Sequence, residues 1–442
     1  MNKLFAAFFA IILLFNAAAQ EKKILTIDEA IRLGFRNNPN VLKSKNQIES
    51  GKSNLLSSRS DLYPTVTGNA SWDWSRTDFK VGDFSLKDER RSWGLGVSSS
   101  YTVFDGFAKY TSIGMKTRDI QAAKLNLMRL QQEIVYQTIT QYYNILNFTE
   151  LVKVRKENLD WNKENLKIIE ANVKVGSGIL TDVRQQEVKV GQAELDLLQA
   201  EQSLNDAKQR LYYYLGLDVT EDFEFVDGTK LLTPLKKDTV SGDNWYDRSL
   251  DELVAEAMKK RSDVRKVEVD LQNAESGVEL AQSANMPRIT NSVSYSLGGT
   301  TPWNILDNRT ISFGFNLSIP IFSGYSITAN EQLAQIQVKN KQIELTDLQK
   351  AIKRDLLQSY LELKTAEKKI DVARKSIISA EANRDLEEAR YKVGSSTLIN
   401  LQLANTDLVR VQVDYLNSLF DLLKLEEQLK YDLGSINTEN FE

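Results

Sequence analysis

The residue types that most often carry out chemistry in proteins are missing from this chain. Its 442 residues include no histidine and no cysteine. That removes the usual zinc and copper ligands, the Ser–His and Cys–His nucleophile pairs, the usual general base at neutral pH, and any disulfide. Catalysis would have to rest on carboxylates, lysine or tyrosine, and no acidic pair stands out on strands or loops. Met1, Met115, Met128, Met258 and Met286 form no cluster of soft metal ligands. No glycine-rich loop ending in Lys-Ser or Lys-Thr occurs, so no nucleotide site is expected, and no cofactor or metal either. Two short motifs do stand out, Val175-Gly176-Ser177-Gly178 and Val393-Gly394-Ser395-Ser396. Glycine flanked by small residues between long helix-forming stretches reads as a turn in which glycine accepts a left-handed conformation. The serines at 177 and 395 carry no such requirement on this reading.

The elements that position these motifs follow from composition and period. Residues 1–19 read as a secretory signal: Lys3 gives a basic start, Leu4 to Phe15 are apolar, and Ala17-Ala18-Ala19 fits a cleavage site. No other apolar run reaches the ~20 residues of a spanning helix, so an exported chain meets a membrane only as a barrel or not at all. The 56 basic and 60 acidic residues leave a net charge of −4 and are well mixed, with no basic stripe for nucleic acid. Six prolines in 442 residues favour helix over loop.

The chain is written twice. Val41 and Pro64 lie 223 residues before Val264 and Pro287, while Gly96, Phe104, Gly106, Gly176 and Gly216 lie 218 before Gly314, Phe322, Gly324, Gly394 and Gly434. One five-residue shortening, between positions 72 and 96, separates the halves. The first repeat is read as 20–216 and the second as 250–434, with a tail at 435–442. Each opens with a helix, Val41–Leu62 or Val264–Met286, ended by proline. Two alternating segments follow, at 64–76 and 92–104 in the first repeat and 288–298 and 310–322 in the second. Val66, Gly68, Ala70, Trp72 and Trp74 share one face against Thr65, Thr67, Asn69, Ser71 and Asp73. Trp93, Leu95, Val97, Tyr101 and Val103 oppose Gly94, Gly96, Ser98, Ser100 and Thr102. The second copy repeats this with Ile289, Val293, Tyr295 and Leu297, then Ile311, Phe313, Phe315, Leu317, Ile319 and Ile321. Period two over about nine to twelve residues, with aromatics near the ends, suits a membrane barrel strand. An ordinary half-buried hairpin gives the same period.

Long helices follow each hairpin, 109–174 and 179–216, then 327–392 and 397–434. At ~1.5 Å per residue the first spans roughly 100 Å. Val183, Val190, Leu197, Leu204 and Leu211 recur every seven residues beside Ala193, Ala200 and Ala207. Leu401, Leu408, Tyr415, Leu422 and Leu429 do the same beside Ala404, Val411 and Leu425. Such heptads predict antiparallel coiled-coil hairpins that fold back at the glycine turns. The polar segment 217–249 shows neither period; with the ends at 20–38 and 434–442 it is expected to form an equatorial collar.

The expected fold is therefore dominated by α-helix, with long coiled-coil hairpins and four β-strands per chain that enter a membrane barrel. Four strands cannot close alone, because open edges leave backbone groups unpaired in lipid. Several chains must contribute, with Ser, Thr and Gly around a wet lumen.

At this point the sequence resembles the outer-membrane efflux protein family, the TolC-like channel-tunnels. Leu25-Thr26-Ile27-Asp28-Glu29-Ala30-Ile31 with Asn37-Asn38-Pro39 resembles the family's start. Ile319-Pro320-Ile321-Phe322-Ser323-Gly324, echoed by Val103-Phe104-Asp105-Gly106, resembles its strand-to-helix corner. Tyr391-Lys392-Val393-Gly394 and Asn172-Val173-Lys174-Val175-Gly176 resemble its hairpin tips. The resemblance implies a homotrimer with a twelve-stranded barrel in outer-membrane lipid and a helical tunnel in the periplasm. It also implies a periplasmic adaptor (a membrane fusion protein) and, through it, an inner-membrane transporter, in efflux or type I secretion. Nucleic acid is not an expected partner.

Site residues come from the same resemblance. Tyr391 matches a tyrosine that links neighbouring hairpins to hold the tip closed, and Asp182 matches its partner. The family's acidic ring after the second tip falls on Asn400 and Leu403, so that ring is not supported here. Val175, Gly176, Ser177, Val393, Gly394 and Ser395 match the adaptor-contact surface. Asp182 is equally readable as a helix-start carboxylate, and Tyr391 as coiled-coil packing. An exported coiled-coil scaffold or binding protein without a pore is the rival reading; it leaves the duplicated strands unexplained. A carboxylate-based cell-wall hydrolase is more distant.

Overall fold

The protein is described from a computed structural model covering residues 23–81, 84–220, 223–225 and 248–441. The expected signal segment, 1–19, lies outside the described residues. In chain order the elements are β1 (Lys23–Leu25), α1 (Ile27–Asn37), α2 (Pro39–Ser60), β2 (Thr65–Val81), β3 (Phe84–Phe104), α3 (Ala108–Lys174), α4 (Leu180–Leu215) and β4 (Phe223–Phe225). They continue with α5 (Leu250–Lys260), α6 (Ser262–Ser283), β5 (Arg288–Gly299), β6 (Asn308–Ser318), α7 (Ser326–Lys392) and α8 (Leu398–Leu433). Two compact units result. One comprises Met1–Leu42, Arg129–Arg261 and Ile352–Glu442; the other comprises Lys43–Met128 and Ser262–Ala351.

The second unit holds a four-stranded antiparallel sheet in the order β2-β3-β5-β6. Its register sorts side chains by face. Trp72 lies opposite Trp93, Ala70 opposite Leu95 and Gly68 opposite Val97. Leu95 and Val97 in turn face Leu297 and Tyr295, and Tyr295 and Val293 face Ile311 and Phe313. One face is thus mainly apolar across all four strands, interrupted by Ser99, Asn291 and Arg309, and the other carries mostly Ser, Thr, Asn and Gly, as the alternation predicts.

The boundaries differ from expectation in three ways. The first hairpin runs to Val81 and Phe84 rather than stopping at 76 and 92, because backbone pairing continues through charged residues that break the apolar alternation. β6 stops at Ser318, two residues before Pro320, which has no N–H to donate to a ladder. A register shift between Thr102 and Phe104 places Phe104 opposite Ile289, so Val103 leaves the apolar row assigned to it. Beyond the strands, both strand-to-helix corners use a left-handed glycine followed by a left-handed aromatic, Gly106 with Phe107 and Gly324 with Tyr325. Beneath the sheet, Ala122 and Leu125 of α3 pack on Val269 of α6, and Arg118 donates to Asn273 and Ser276 at 3.2 and 3.0 Å.

The first unit is built on helices. Ala193, Ala200 and Ala207 are buried, while Val190, Leu197 and Leu204 are only half-buried, so the alanine line is the tighter seam of α4. A core of Tyr142, Ile145, Leu211, Leu215, Phe223 and Phe420 lies where the chain's start meets the inter-repeat segment. There β1 pairs in parallel with β4, and Tyr142 donates to the Leu25 carbonyl at 2.9 Å. The rest of the expected collar, residues 226–247, lies outside the described residues. The stretch at 20–38, expected as part of that collar, contains a helix instead. Thr26 caps α1 by accepting from the Glu29 N–H, and Ser249 caps α5 from Glu252, so each repeat opens with a short capped helix upstream of the expected one.

Four turns at helix ends use left-handed glycines with different surroundings. Gly216 ends α4 at φ 70°, and a β-carbon there would lie 2.7 Å from the Asn37 carbonyl oxygen. Gly434 ends α8 the same way against Arg261. Gly176 and Gly394 have no atom within 4 Å of such a carbon. Gly176→Ala is therefore expected to cost only the left-handed strain of ~1–3 kcal/mol, and Gly216→Ala that strain plus a backbone clash. Thermal unfolding should show the Gly216 variant melting below the Gly176 variant; equal midpoints would count against this packing.

Candidate functional site at the helical turns

The two turns that join the long helices have the same construction. In the first, the Gly176 N–H donates to the Val173 carbonyl at 3.0 Å and the Ser177 N–H to the Asn172 carbonyl at 2.9 Å. In the second, Gly394 donates to Tyr391 at 3.0 Å and Ser395 to Arg390 at 2.8 Å. With φ of 79° and 73° at the glycines, each is a left-handed helix stop that satisfies carbonyls otherwise left open. The serines are not free of the turn, as the sequence suggested. The Ser177 and Ser395 hydroxyls donate at 3.1 Å to the same Asn172 and Arg390 carbonyls, so each serine closes its helix end twice. What projects outward is Val175 and Val393, each 78% exposed.

A small core brings the two turns together. Ile169 of α3, Val183 of α4 and Leu398 of α8 are buried against one another, with Val173 and Tyr391 packed on them. Tyr391 and Asp182 line one cavity of about 530 Å³, together with Trp161, Asn165, Glu388 and Lys392. Burial pushes the Tyr391 phenol above its ordinary value, and the nearby Asp182 carboxylate adds to the rise. Among the described residues no hydrogen bond joins the two within the chain. Asp182 also occupies the first turn of α4, where a carboxylate is favoured by the helix dipole. Asn400 belongs to its own turn: its N–H donates to the Thr397 hydroxyl at 3.3 Å and its amide to the Ser396 hydroxyl at 3.4 Å, while Ser396 donates to Glu387.

Next to this core runs a buried polar seam that heptad reading passed over. Gln186 is fully buried and donates to the backbone and side-chain oxygens of Asn162, both at 3.0 Å. Gln402 donates to the Gln186 side-chain oxygen Oε1 at 2.9 Å, and Asn405 to the Asn158 side-chain oxygen at 2.9 Å. Amide groups thus tie α3, α4 and α8 to one register, since a slip would leave buried donors unpaired. The signal was present in the sequence. Gln186 stands seven residues before Ala193 and so lies on the alanine line.

Among the described residues no group of three or more potential metal-ligating side chains converges. The site thus consists of two matched turns, a tyrosine beside a carboxylate, and a seam of amides that fixes how the hairpins meet.

Comparison with known proteins shows the family. The family model for the outer membrane efflux protein matches residues 31–217 and 253–435, the two repeats in turn. The outer membrane efflux protein BepC of Brucella suis is 23% identical over 402 residues, covering 90% of this chain and 83% of its own. The outer membrane protein TolC of Escherichia coli is 19% identical over 438 residues, covering 96% and 85%. Among solved structures, the Campylobacter jejuni CmeC outer membrane channel superposes with a TM-score of 0.80 at 16% identity, covering 94% of this chain and 88% of that one. A duplicated chain whose two halves both match one family model, and whose fold matches an outer membrane channel, belongs to the outer membrane efflux protein family.

Proposed function

We propose that this protein is the exit duct of a tripartite efflux or type I secretion assembly, a passive conduit formed by three copies of the chain in the outer membrane. The observation that carries the reading is the four-stranded sheet, with one apolar face, one hydroxyl-, amide- and glycine-lined face, and open edges at β2 and β6. An open edge in lipid leaves N–H and C=O groups without partners, at several kcal/mol each. Pairing β6 of one copy with β2 of the next removes every edge, and three copies give a twelve-stranded barrel around a polar lumen.

The aromatic residues support the membrane placement. Trp72, Trp74 and Trp93 stand at one end of the apolar face, and Tyr101 and Phe104 near the other, as the two girdles of a barrel require. A scaffold without a pore has no use for a sheet apolar on one side and exposed there: Ile311 is 78% and Phe313 66% exposed in the single chain. With no nucleotide site, energy comes from an inner-membrane transporter, reached through a periplasmic adaptor. We assign the adaptor contact to the turns, with Val175 and Val393 as the projecting groups on frames fixed by Gly176, Ser177, Gly394 and Ser395. Weak contacts repeated around a ring of turns bind firmly through multivalency. We assign the closed state to Tyr391 and Asp182, with Asn400 holding its own turn in shape.

Two outcomes are expected. Phe313→Arg puts charge on the lipid face at ~2–4 kcal/mol near mid-membrane, whereas Ser98→Arg faces the lumen and is tolerated. Outer-membrane yield of folded protein reads the difference, and equal yields would remove the barrel. At the turns, Tyr391→Phe with Asp182→Ala removes the phenol–carboxylate hydrogen bond proposed between adjacent hairpins of the closed trimer, worth ~1.5–3 kcal/mol and enough to shift an open–closed balance at least tenfold. Single-channel conductance in planar bilayers should rise; an unchanged value would leave Asp182 as a helix-start residue only.

A further inference from the structure

The first hairpin continues past the sheet. β3 pairs with β5 only as far as Trp93 opposite Gly299, yet β2 and β3 remain paired for nine further rungs, from Asp73–Ser92 to Val81–Phe84. Because alternation is unbroken, each face of this two-stranded ribbon extends one face of the sheet. Above Trp72 and Trp93, the continuation of the apolar face reads Trp74–Arg91, Arg76–Glu89, Asp78–Lys87 and Lys80–Ser85. The opposite face carries Asp73, Ser75, Thr77, Asp88, Arg90 and Ser92.

The outward ladder has four cations against two carboxylates, and both carboxylates are held within it. Arg76 grips Asp78 at 3.1 and 3.4 Å. Glu89 accepts from Trp74 Nε1 and from Arg91, each at 2.9 Å. Lys80 and Lys87 have no carboxylate partner among the described residues. The ribbon lies at the end of the strands opposite their connections to α2, α3, α6 and α7. Its cations run from the level of Trp74 to about 20 Å beyond it, at ~3.4 Å per residue.

We propose that this outward ladder is a binding surface for the phosphorylated headgroups of the outer leaflet, the phosphates of lipid A, with Lys80 and Lys87 as the uncommitted cations and Arg76 and Arg91 beside them. The inference rests on the barrel reading, which makes the Trp72 face the lipid face. Tryptophan marks the level at which acyl chains give way to headgroups. Cations stacked directly above that level on the same face meet whatever anion the leaflet carries, and guanidinium and ammonium groups match phosphate oxygens. The two carboxylates do not cancel the surface. They orient Arg76 and Arg91 and leave the lysines to bind. The lumen-side face at the same height has no continuity with lipid, so Arg90 is excluded from the surface.

The test uses the full chain folded into zwitterionic phosphatidylcholine vesicles doped with lipid A bearing both phosphates, or with the same lipid dephosphorylated. Bound lipid A per trimer is measured by native mass spectrometry after extraction. Phosphorylated lipid should be retained over the dephosphorylated form. Lys80→Gln and Lys87→Gln should each weaken retention about fivefold, the ~1 kcal/mol expected for one cation near an anionic surface. Arg90→Gln, at the same height on the other face, should change nothing. Equal retention of both lipids, or an Arg90 effect as large as that of Lys87, would overturn the proposal while normal insertion left the barrel standing. Failure of every variant and the parent protein to insert would strike the barrel and the headgroup surface together.

Discussion

A β-strand in lipid has to pair along both edges, because no water is present to take its backbone groups. The second unit presents this problem in its plainest form: four strands, two open edges and an apolar face exposed in the single chain. Much else in the chain answers to that constraint. The polar face carries mostly small residues, which would leave space inside a ring closed by further copies. The corners at Gly106 and Gly324 turn each strand into a helix within a few residues and place an aromatic, Phe107 or Tyr325, at the turn despite its left-handed backbone. Such strain at a non-glycine residue, repeated in both halves, marks a junction whose geometry outweighs its local cost.

Duplication explains how the helical unit meets the same demand for uniformity. Each repeat opens with a capped short helix, passes through a strand pair, and folds a long helix back at a glycine–serine turn. Each ends on a left-handed glycine pressed against the junction of a helix pair, Gly216 on Asn37 and Gly434 on Arg261. The repeats also differ from one another. The first hairpin is extended and charged at its tip, the second short. Asp182 stands after one turn and Asn400 after the other. The amide seam from Asn158 to Gln402 joins the two hairpins by directional bonds, which specify register more sharply than apolar packing does.

The period-two alternation made the strand faces legible in the sequence, because one register slip would have moved every aromatic to the wrong side. The helices and their turns were legible from heptads and from glycine. Other features were hidden for physical reasons. Arg76, Asp78, Glu89 and Arg91 masked the hairpin's extension, since in water a ladder needs no apolar side chains. The capped helix at Ile27–Asn37 was absorbed into a tail although Thr26 and Glu29 form a start signal. Ser177 and Ser395 looked free of any part in the turn because a hydroxyl bonding back to a helix carbonyl leaves no periodic trace. Gln186 was passed over because a heptad search looks for apolar residues. Of the site, the pairing of Tyr391 with Asp182 came from family resemblance; the shared cavity is what the structure adds.

A closed barrel requires β6 of one copy to lie beside β2 of another. The chain has no native cysteine, so introduced pairs report without background. Asn69→Cys on β2 can be combined in turn with Ser312→Cys, Gly314→Cys or Asn316→Cys on the lumen side of β6, and the membrane-inserted protein oxidised. The predicted result is disulfide-linked dimers and trimers on a denaturing gel for the combination that matches the inter-chain register, and none for either single cysteine paired with itself. Monomer at every register, with the protein folded in the membrane, would contradict it.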